Sequence, residues 1–387
     1  MGIELAPLTM PLAGSRRPWT FPGLETSFHG LPGILADALP DKFGNRLIDQ
    51  WMAVRGVAPD SITPLDRLAY MGKRGMGALE FRPPMTAARE SSRSLDMQTL
   101  VEEVRLAFQG DLATQASSRN ALAGIIRVGT SAGGARPKAV IAWNPATNEI
   151  RSGQFDAASG FEHWLLKFDG VGTDLDLGTS RAYGRIEYAY HLMARRAGIE
   201  MAPCRLLEEN GRAHFMTRRF DRAGNAKHHI QSLCGLRHLD YNARGSHSYE
   251  QWFLTIRQLG LGDSALEQAF RRMAFNVMAR NCDDHTKNIA FRLRRGSSWE
   301  LAPAFDVTHA YSPSSPWVSQ HLMSVNGKFS AIAAADLLTI SDRHAIAGGR
   351  RLLEEVRSSV QSWREFAAAA GVPKPETAQI ERDFEPV

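Results

Sequence analysis

Apolar positions follow two different periods along the chain, helical at both ends and strand-like between them. Between Gly33 and Gly56, the stretch GILADALPDKFGNRLIDQWMAVRG sets Leu35, Leu39, Leu47, Ile48, Trp51 and Met52 at helical spacing. Pro40 cannot sit inside a helix, so two helices are expected rather than one. A further helical pattern, MQTLVEEVRLAFQG, begins at Met97. From about residue 124 the period shortens: GIIRVGT, KAVIAW, EIRSGQF and HWLLKFD, parted by Gly, Asn and Ser, predict antiparallel strands. SRAYGRIEYAYHLMARRAG then predicts a helix closed by Gly198, and APCRLLE and AHFMTRRFD predict a hairpin turning at Asn210 and Gly211. After about residue 226 helices dominate, with SYEQWFLTIRQLG followed by SALEQAFRRMAFNVMARN. In the second, Leu266, Phe270, Met273, Val277 and Met278 form one apolar stripe, and Ser264 and Glu267 have capping-box spacing. A short hairpin, NIAFRLRRGSSWELAPAFD, and a helical tail from about residue 333 complete the pattern.

The polar, Pro- and Ser-rich stretch RPPMTAARESSRSLDMQT reads as a linker. With 387 residues to distribute, we expect three parts: residues 1–115, a β-rich lobe over 116–225 and a helical lobe over 226–387. Lys and Arg outnumber Asp and Glu by 46 to 41, and the excess is scattered, which permits an anionic partner such as ATP, tRNA or DNA without demanding one. Three widely spaced cysteines fit a reducing, cytoplasmic setting rather than a disulfide framework. No apolar run approaches a membrane span and the N-terminus lacks signal-peptide order, so neither membrane insertion nor secretion is expected.

The strongest chemical signal is NCDDHTKN, residues 281–288, between a helix and an apolar strand. Asp283 and Asn288 stand five apart there. A phosphotransferase needs a carboxylate to orient and deprotonate the attacking hydroxyl, and an amide oxygen a few residues on to ligate a Mg²⁺ against ATP phosphates. Asp and Asn are also common turn residues, and spacing alone does not separate the two readings. Asp306, at the end of the second hairpin strand, stands where a second Mg²⁺ ligand belongs; the plainer alternative is a helix N-cap or turn residue. Upstream, the segment from Val128 to Lys138, with Gly133 and Gly134, has glycines that let backbone amides approach phosphate oxygens, or that simply turn a hairpin. Lys167 on a predicted strand is placed to reach α and β phosphates, and Glu187 on the next helix is the candidate to pair with it, although exposed strand lysines and solvated helical glutamates are commoner. The order of glycine-rich hairpin, strand Lys, helix Glu, buried helix, DxxxxN, hairpin and Asp is the order of a kinase.

These residues resemble the HipA-like serine/threonine protein kinases of bacterial toxin–antitoxin systems. The resemblance covers most of the chain: Gly77-Ala78-Leu79, the serine-bearing loop SAGGARPK, the strand ending at Lys167, RFDR at Arg219 to Arg222, DxHxKN at Asp283 to Asn288 and PAFD ending at Asp306. The catalytic loop is also similar to that of phosphatidylinositol kinases, with His two residues after the Asp. The resemblance implies an α+β, two-lobed protein-kinase-like fold with an N-terminal α+β subdomain and a mostly helical C-terminal lobe. It implies ATP and Mg²⁺ as cofactors, Asp283 as catalytic base, Asn288 and Asp306 as metal ligands, and Lys167 as the phosphate contact. Phe220 borders the adenine pocket in this reading, His285 and Lys287 organise the loop or touch phosphate, and Ser131, with Thr130 beside it, is the site of autophosphorylation that would expel the loop. A phosphate there adds roughly −1.5 to −2 charges and competes with ATP for the same amides.

The resemblance further implies a toxin that arrests growth by phosphorylating a cytosolic protein, an aminoacyl-tRNA synthetase among the candidates. Its partner would be a HipB-like helix-turn-helix antitoxin, with operator DNA contacted through it. The chain opens later than the family's usual β-rich start, so a small partner chain could supply that segment, and Arg218 departs from the expected hinge residue. Two other readings stay open from the residues: a small-molecule or lipid phosphotransferase, the lipid version lacking a basic amphipathic helix, and a catalytically idle corepressor bound to a DNA-binding partner.

Overall fold

The computed structural model describes residues 4–14, 16–85, 94–108, 137–171 and 182–387. Four helices come first: α1 (Gly33–Ala36), α2 (Lys42–Ala53), α3 (Pro64–Met71) and α4 (Met97–Phe108). Pro40 separates α1 from α2, and Asp41 caps α2 by accepting from Gly44 N at 2.6 Å. Thr63 and Asp66 form a reciprocal capping box on α3, with Pro64 in the first turn. Among the described residues this N-terminal part contains helices and an isolated bridge between Ser94 and Arg151 but no strand, so its expected β content is not seen there.

Five strands follow: β1 (Lys138–Trp143), β2 (Ile150–Ser152), β3 (Glu162–Lys167), β4 (Cys204–Glu209) and β5 (Arg212–Arg218). They form one antiparallel sheet in the order β2-β1-β3-β5-β4. Asn210 and Gly211 both adopt positive φ, 45° and 77°, the two-residue turn whose twist matches a hairpin. Alternation along β3 sends Trp164 and Leu166 into a core shared with Leu47 of α2 and with Leu100, Val101 and Val104 of α4. Lys167 therefore faces the other side of the sheet, where α5 (Tyr183–Arg196) lies. Gly184 makes that packing close, since a Cβ there would meet the Ala213 carbonyl oxygen of β5 at 1.9 Å. The helix ends where Gly198 takes φ 77°, as its sequence predicts.

The second half is helical. It contains α6 (Leu233–Arg237), α7 (Tyr249–Gln258), α8 (Asp263–Met278), α9 (Ala334–Arg343), α10 (Gly349–Gln361), α11 (Trp363–Ala370) and α12 (Lys374–Asp383). The expected stripe on α8 is buried: Leu266, Phe270, Met273, Val277 and Met278 sit in the largest core, with Tyr190 of α5 and Trp363 of α11. At roughly 1.5–3 kcal/mol for each fully buried large side chain, this stripe dominates the anchoring of α8. The expected Ser264–Glu267 capping box is not formed. Gly262 is the N-cap, without a side-chain bond, and Glu267 instead pairs with Arg271 one turn on. β6 (His229–Ser232), β7 (Ala290–Leu293) and β8 (Trp299–Leu301) make a small antiparallel sheet, which leads the chain out of α8 and on to Asp306. Among the described residues no helix is long and apolar enough to cross a membrane.

Candidate active site

Lys167 ends β3 directly across from Lys138 of β1 and Phe215 of β5. Its Nζ donates to Glu187 Oε1 at 2.5 Å and makes a second ion pair with Asp306 Oδ1. The close seat of α5 at Gly184 sets this distance, because Glu187 is one turn further along the same helix. Burial disfavours the ammonium, but the Asp306 and Glu187 carboxylates outweigh it and raise the Lys167 pKa above an ordinary lysine. Asp306 is correspondingly held well below the usual carboxylate range: burial pushes it up, and Lys167 and then Lys138 more than reverse that. It adopts φ 52°, a left-handed backbone that non-glycine residues rarely take.

Asp283 follows α8 by way of Asn281 and Cys282. Its Oδ1 accepts from Trp317 Nε1 at 2.7 Å and lies 3.7 Å from His285 Nε2. Burial raises its pKa, with His285 and the Trp317 bond acting against the rise. Asn288 donates through Nδ2 to the Asp283 carbonyl at 2.8 Å, which fixes the amide and leaves Oδ1 as the atom open to a cation. The structure thus joins Lys167, Glu187 and Asp306 on one side and Asp283, His285 and Asn288 on the other. Phe220 packs on Phe305, the neighbour of Asp306, with ring centroids 5.8 Å apart. Lys287 lies over the Tyr241 ring at 5.2 Å, within electrostatic reach of Asp37 and Asp41. Thr130, Ser131, Gly133 and Gly134 lie outside the described residues.

Several residues of the site carry no signal in the sequence. Asp284, indistinguishable from Asp283 as a letter, turns inward: it accepts from Tyr249 Oη at 2.8 Å, from Leu322 N at 2.7 Å and from His321 Nδ1 at 2.8 Å. Burial opposes the imidazolium of His321, but the Asp284 charge raises its pKa to about 10. Trp317, eleven residues beyond Asp306, likewise has no spacing that marks it. The RFDR segment acts as a lock. Asp221 is fully buried, paired with Arg219 at 2.6 Å and with Arg222 at 2.6 Å, and it accepts from Gly77 N at 2.7 Å.

The donor set suits Mg²⁺. Asp306 and Asn288 offer hard oxygen atoms, and a magnesium ion keeps several waters and takes the rest of its shell from phosphates. Among the described residues no three His, Cys, Asp or Glu side chains converge as a metal cage.

A five-stranded sheet bearing an ion-paired lysine, set beside a helical lobe that presents Asp, Asn and a second Asp, defines a kinase-like fold. The chain belongs to the HipA family, for residues 130–382 match the HipA-like C-terminal domain and residues 1–82 the HipA N-terminal domain. No curated protein matches it in sequence. Among solved structures it is similar to HipA of Shewanella oneidensis MR-1, determined with HipB and operator DNA, at 17% identity over 92% of this chain and 83% of that chain, with a TM-score of 0.63. It is also similar to the proinflammatory kinase CtkA of Helicobacter pylori at 13% identity, covering 58% of this chain and 88% of that chain, with a TM-score of 0.37.

Proposed function

We propose that this protein is an ATP- and Mg²⁺-dependent serine/threonine protein kinase and the toxin of a type II toxin–antitoxin system. The carrying observation is the three-way contact of Lys167 with Glu187 and Asp306, set against a loop whose Asp283 and Asn288 are five residues apart. In this reading Lys167, held by Glu187, engages the α and β phosphates as it lets go of part of its contact with Asp306. Asp306 and Asn288 Oδ1 would hold Mg²⁺, which when bound neutralises phosphate charge. Asp283 orients the acceptor hydroxyl and takes its proton. Trp317 occupies Oδ1 of that carboxylate, so Oδ2 is the atom that receives it. His285 steadies the loop through its contacts with Asp283 and Tyr241.

Phe220 borders the adenine pocket, and Gly133, Gly134 and Lys287 belong to the phosphate side. Autophosphorylation falls on Ser131, with Thr130 as second acceptor. The partner is a HipB-like antitoxin that brings operator DNA, in keeping with the assembly of the Shewanella protein. The target is a cytosolic protein, with an aminoacyl-tRNA synthetase as the leading candidate.

The test is incubation with labelled ATP and Mg²⁺ beside Asp283→Ala and Ser131→Ala, with mass-spectrometric mapping. Label at Ser131 or Thr130 that vanishes in Asp283→Ala is the expected result. Equal labelling of wild type and Asp283→Ala would sink the assignment of the base.

A further inference from the structure

Asp41 is the N-cap of α2, in the part of the chain that matches the family's N-terminal domain. Capping uses only Oδ1. The other oxygen, Oδ2, is buried and accepts no hydrogen bond. Among the described residues the nearest cation is the ammonium of Lys138, 4.0 Å away, too far for a hydrogen bond, and both side chains are more than nine-tenths buried. Among the described residues Asp41 is the only ion-pair partner of Lys138. A buried carboxylate oxygen and a buried ammonium that face each other without bonding are costly, which marks a place for a third group.

The position of Lys138 says what that group is. It is paired across the sheet with Lys167, so the two side chains leave the same face, and its charge acts on Asp306. Among the described residues three ammonium groups, Lys138, Lys167 and Lys287, face five carboxylates, Asp37, Asp41, Glu187, Asp283 and Asp306, around this cleft. A polyanion therefore meets an acidic cleft in which Lys167 is already doubly paired, and Lys138 is the cation with a single, loose partner.

The geometry points to Asp41 as a built-in counter-ion that occupies Lys138 until a phosphate oxygen replaces it. The N-terminal domain thereby sets the phosphate affinity of the cleft. The Lys138 stem is held by β1 and its buried neighbours rather than by Asp41, so removing the Asp41 charge frees the ammonium without loosening it. The inference rests on the nucleotide-site reading above.

Calorimetric titration with inorganic tripolyphosphate, Mg·ATP and adenosine tests it on wild type, Asp41→Asn and Lys138→Met. Asparagine keeps the oxygen that caps Gly44 N, and melting curves check that each variant is folded. Asp41→Asn is expected to bind tripolyphosphate and Mg·ATP about three- to tenfold more tightly, and Lys138→Met more weakly by a similar factor. Adenosine, which has no phosphate, is expected to bind all three alike. Equal or weaker binding of both phosphate probes by folded Asp41→Asn, unchanged binding by Lys138→Met, or no binding of tripolyphosphate by any of the three overturns the inference. Tripolyphosphate binding with the expected ranking, in a protein that takes neither Mg·ATP nor adenosine, would leave the counter-ion in place and remove the nucleotide reading instead.

Discussion

The amide of Gly77 donates to the carboxylate of Asp221 at 2.7 Å across 144 positions of sequence. With the bonds beside it, this contact ties the N-terminal segment around Gly77 to the turn that follows β5. Arg222 returns to the Gly77 carbonyl at 3.0 Å, and both Arg219 and Arg222 reach the Gly75 carbonyl at 3.3 Å. Burial works against the Asp221 carboxylate, but Arg219 and Arg222 bring its pKa down to about 2. Gly77 stands at φ 78°, with Ile230 3.1 Å from where a Cβ would be, so a side chain there is strained by the backbone and crowded by Ile230.

Removing the carboxylate leaves two buried guanidinium groups without their partner. Asp221→Ala is expected to cost about 3–5 kcal/mol in urea unfolding and to open the segment around Gly75 and Gly77 to proteolysis. A loss under 1 kcal/mol with unchanged cleavage would show that the lock is not what holds the two parts together.

Gly184→Ala places a methyl group against the Ala213 carbonyl. The helix has to shift, and Glu187 with it. We expect a stability loss of roughly 1–3 kcal/mol and at least a tenfold fall in phosphoryl transfer. Wild-type activity in this variant would mean that the Lys167–Glu187 pair tolerates displacement of its helix.

Trp317→Phe keeps a ring but removes the N–H that bonds Asp283 Oδ1. A hydrogen bond to the charged form lowers a carboxylate pKa, so its loss raises that of Asp283. The acid limb of the kcat profile is expected to move to higher pH, with kcat down about three- to tenfold and KM for ATP unchanged. An unmoved limb together with an unchanged kcat would remove Trp317 from the positioning of the base.

The His321–Asp284 pair predicts alkaline sensitivity. The folded His321 pKa, about 10, lies above the ordinary histidine value of 6.5, so the folded state binds the proton more tightly than the unfolded chain. The stabilisation is complete below about pH 6.5 and is lost as pH rises to about 10. In unfolding experiments the gap between wild type and His321→Asn should shrink steadily across that interval. A gap that is flat or widens from pH 7 to 10 would refute the charged pair.

Lys167, Glu187, Asp283, Asn288 and Asp306 were legible because their spacing along the chain follows from the elements that bear them: a strand end, a helix face, and a loop bounded by a buried helix and an apolar strand. The residues that support them were not. Asp284 is told apart from Asp283 only by which way the loop turns, and that depends on His321, Tyr249 and Leu322 from distant segments. The Asp41–Lys138 contact and the Asp221 lock join parts of the chain that no local period connects. Ser264 and Glu267 illustrate the opposite failure. Their spacing fits a capping box, but Arg271 sits one turn beyond Glu267 and also meets Glu355 of α10, and that charged contact takes the glutamate away from the cap.

Consecutive residues Asp283 and Asp284 face opposite ways, one toward the cleft and the other into the protein. The loop that carries Asp283 is thus riveted from behind by its own neighbour, through an ion pair and two further hydrogen bonds. Moving Asp283 would mean tearing that charge out of the interior. Control of such a site is left to whatever enters the cleft or stands over it, while the floor stays where folding put it.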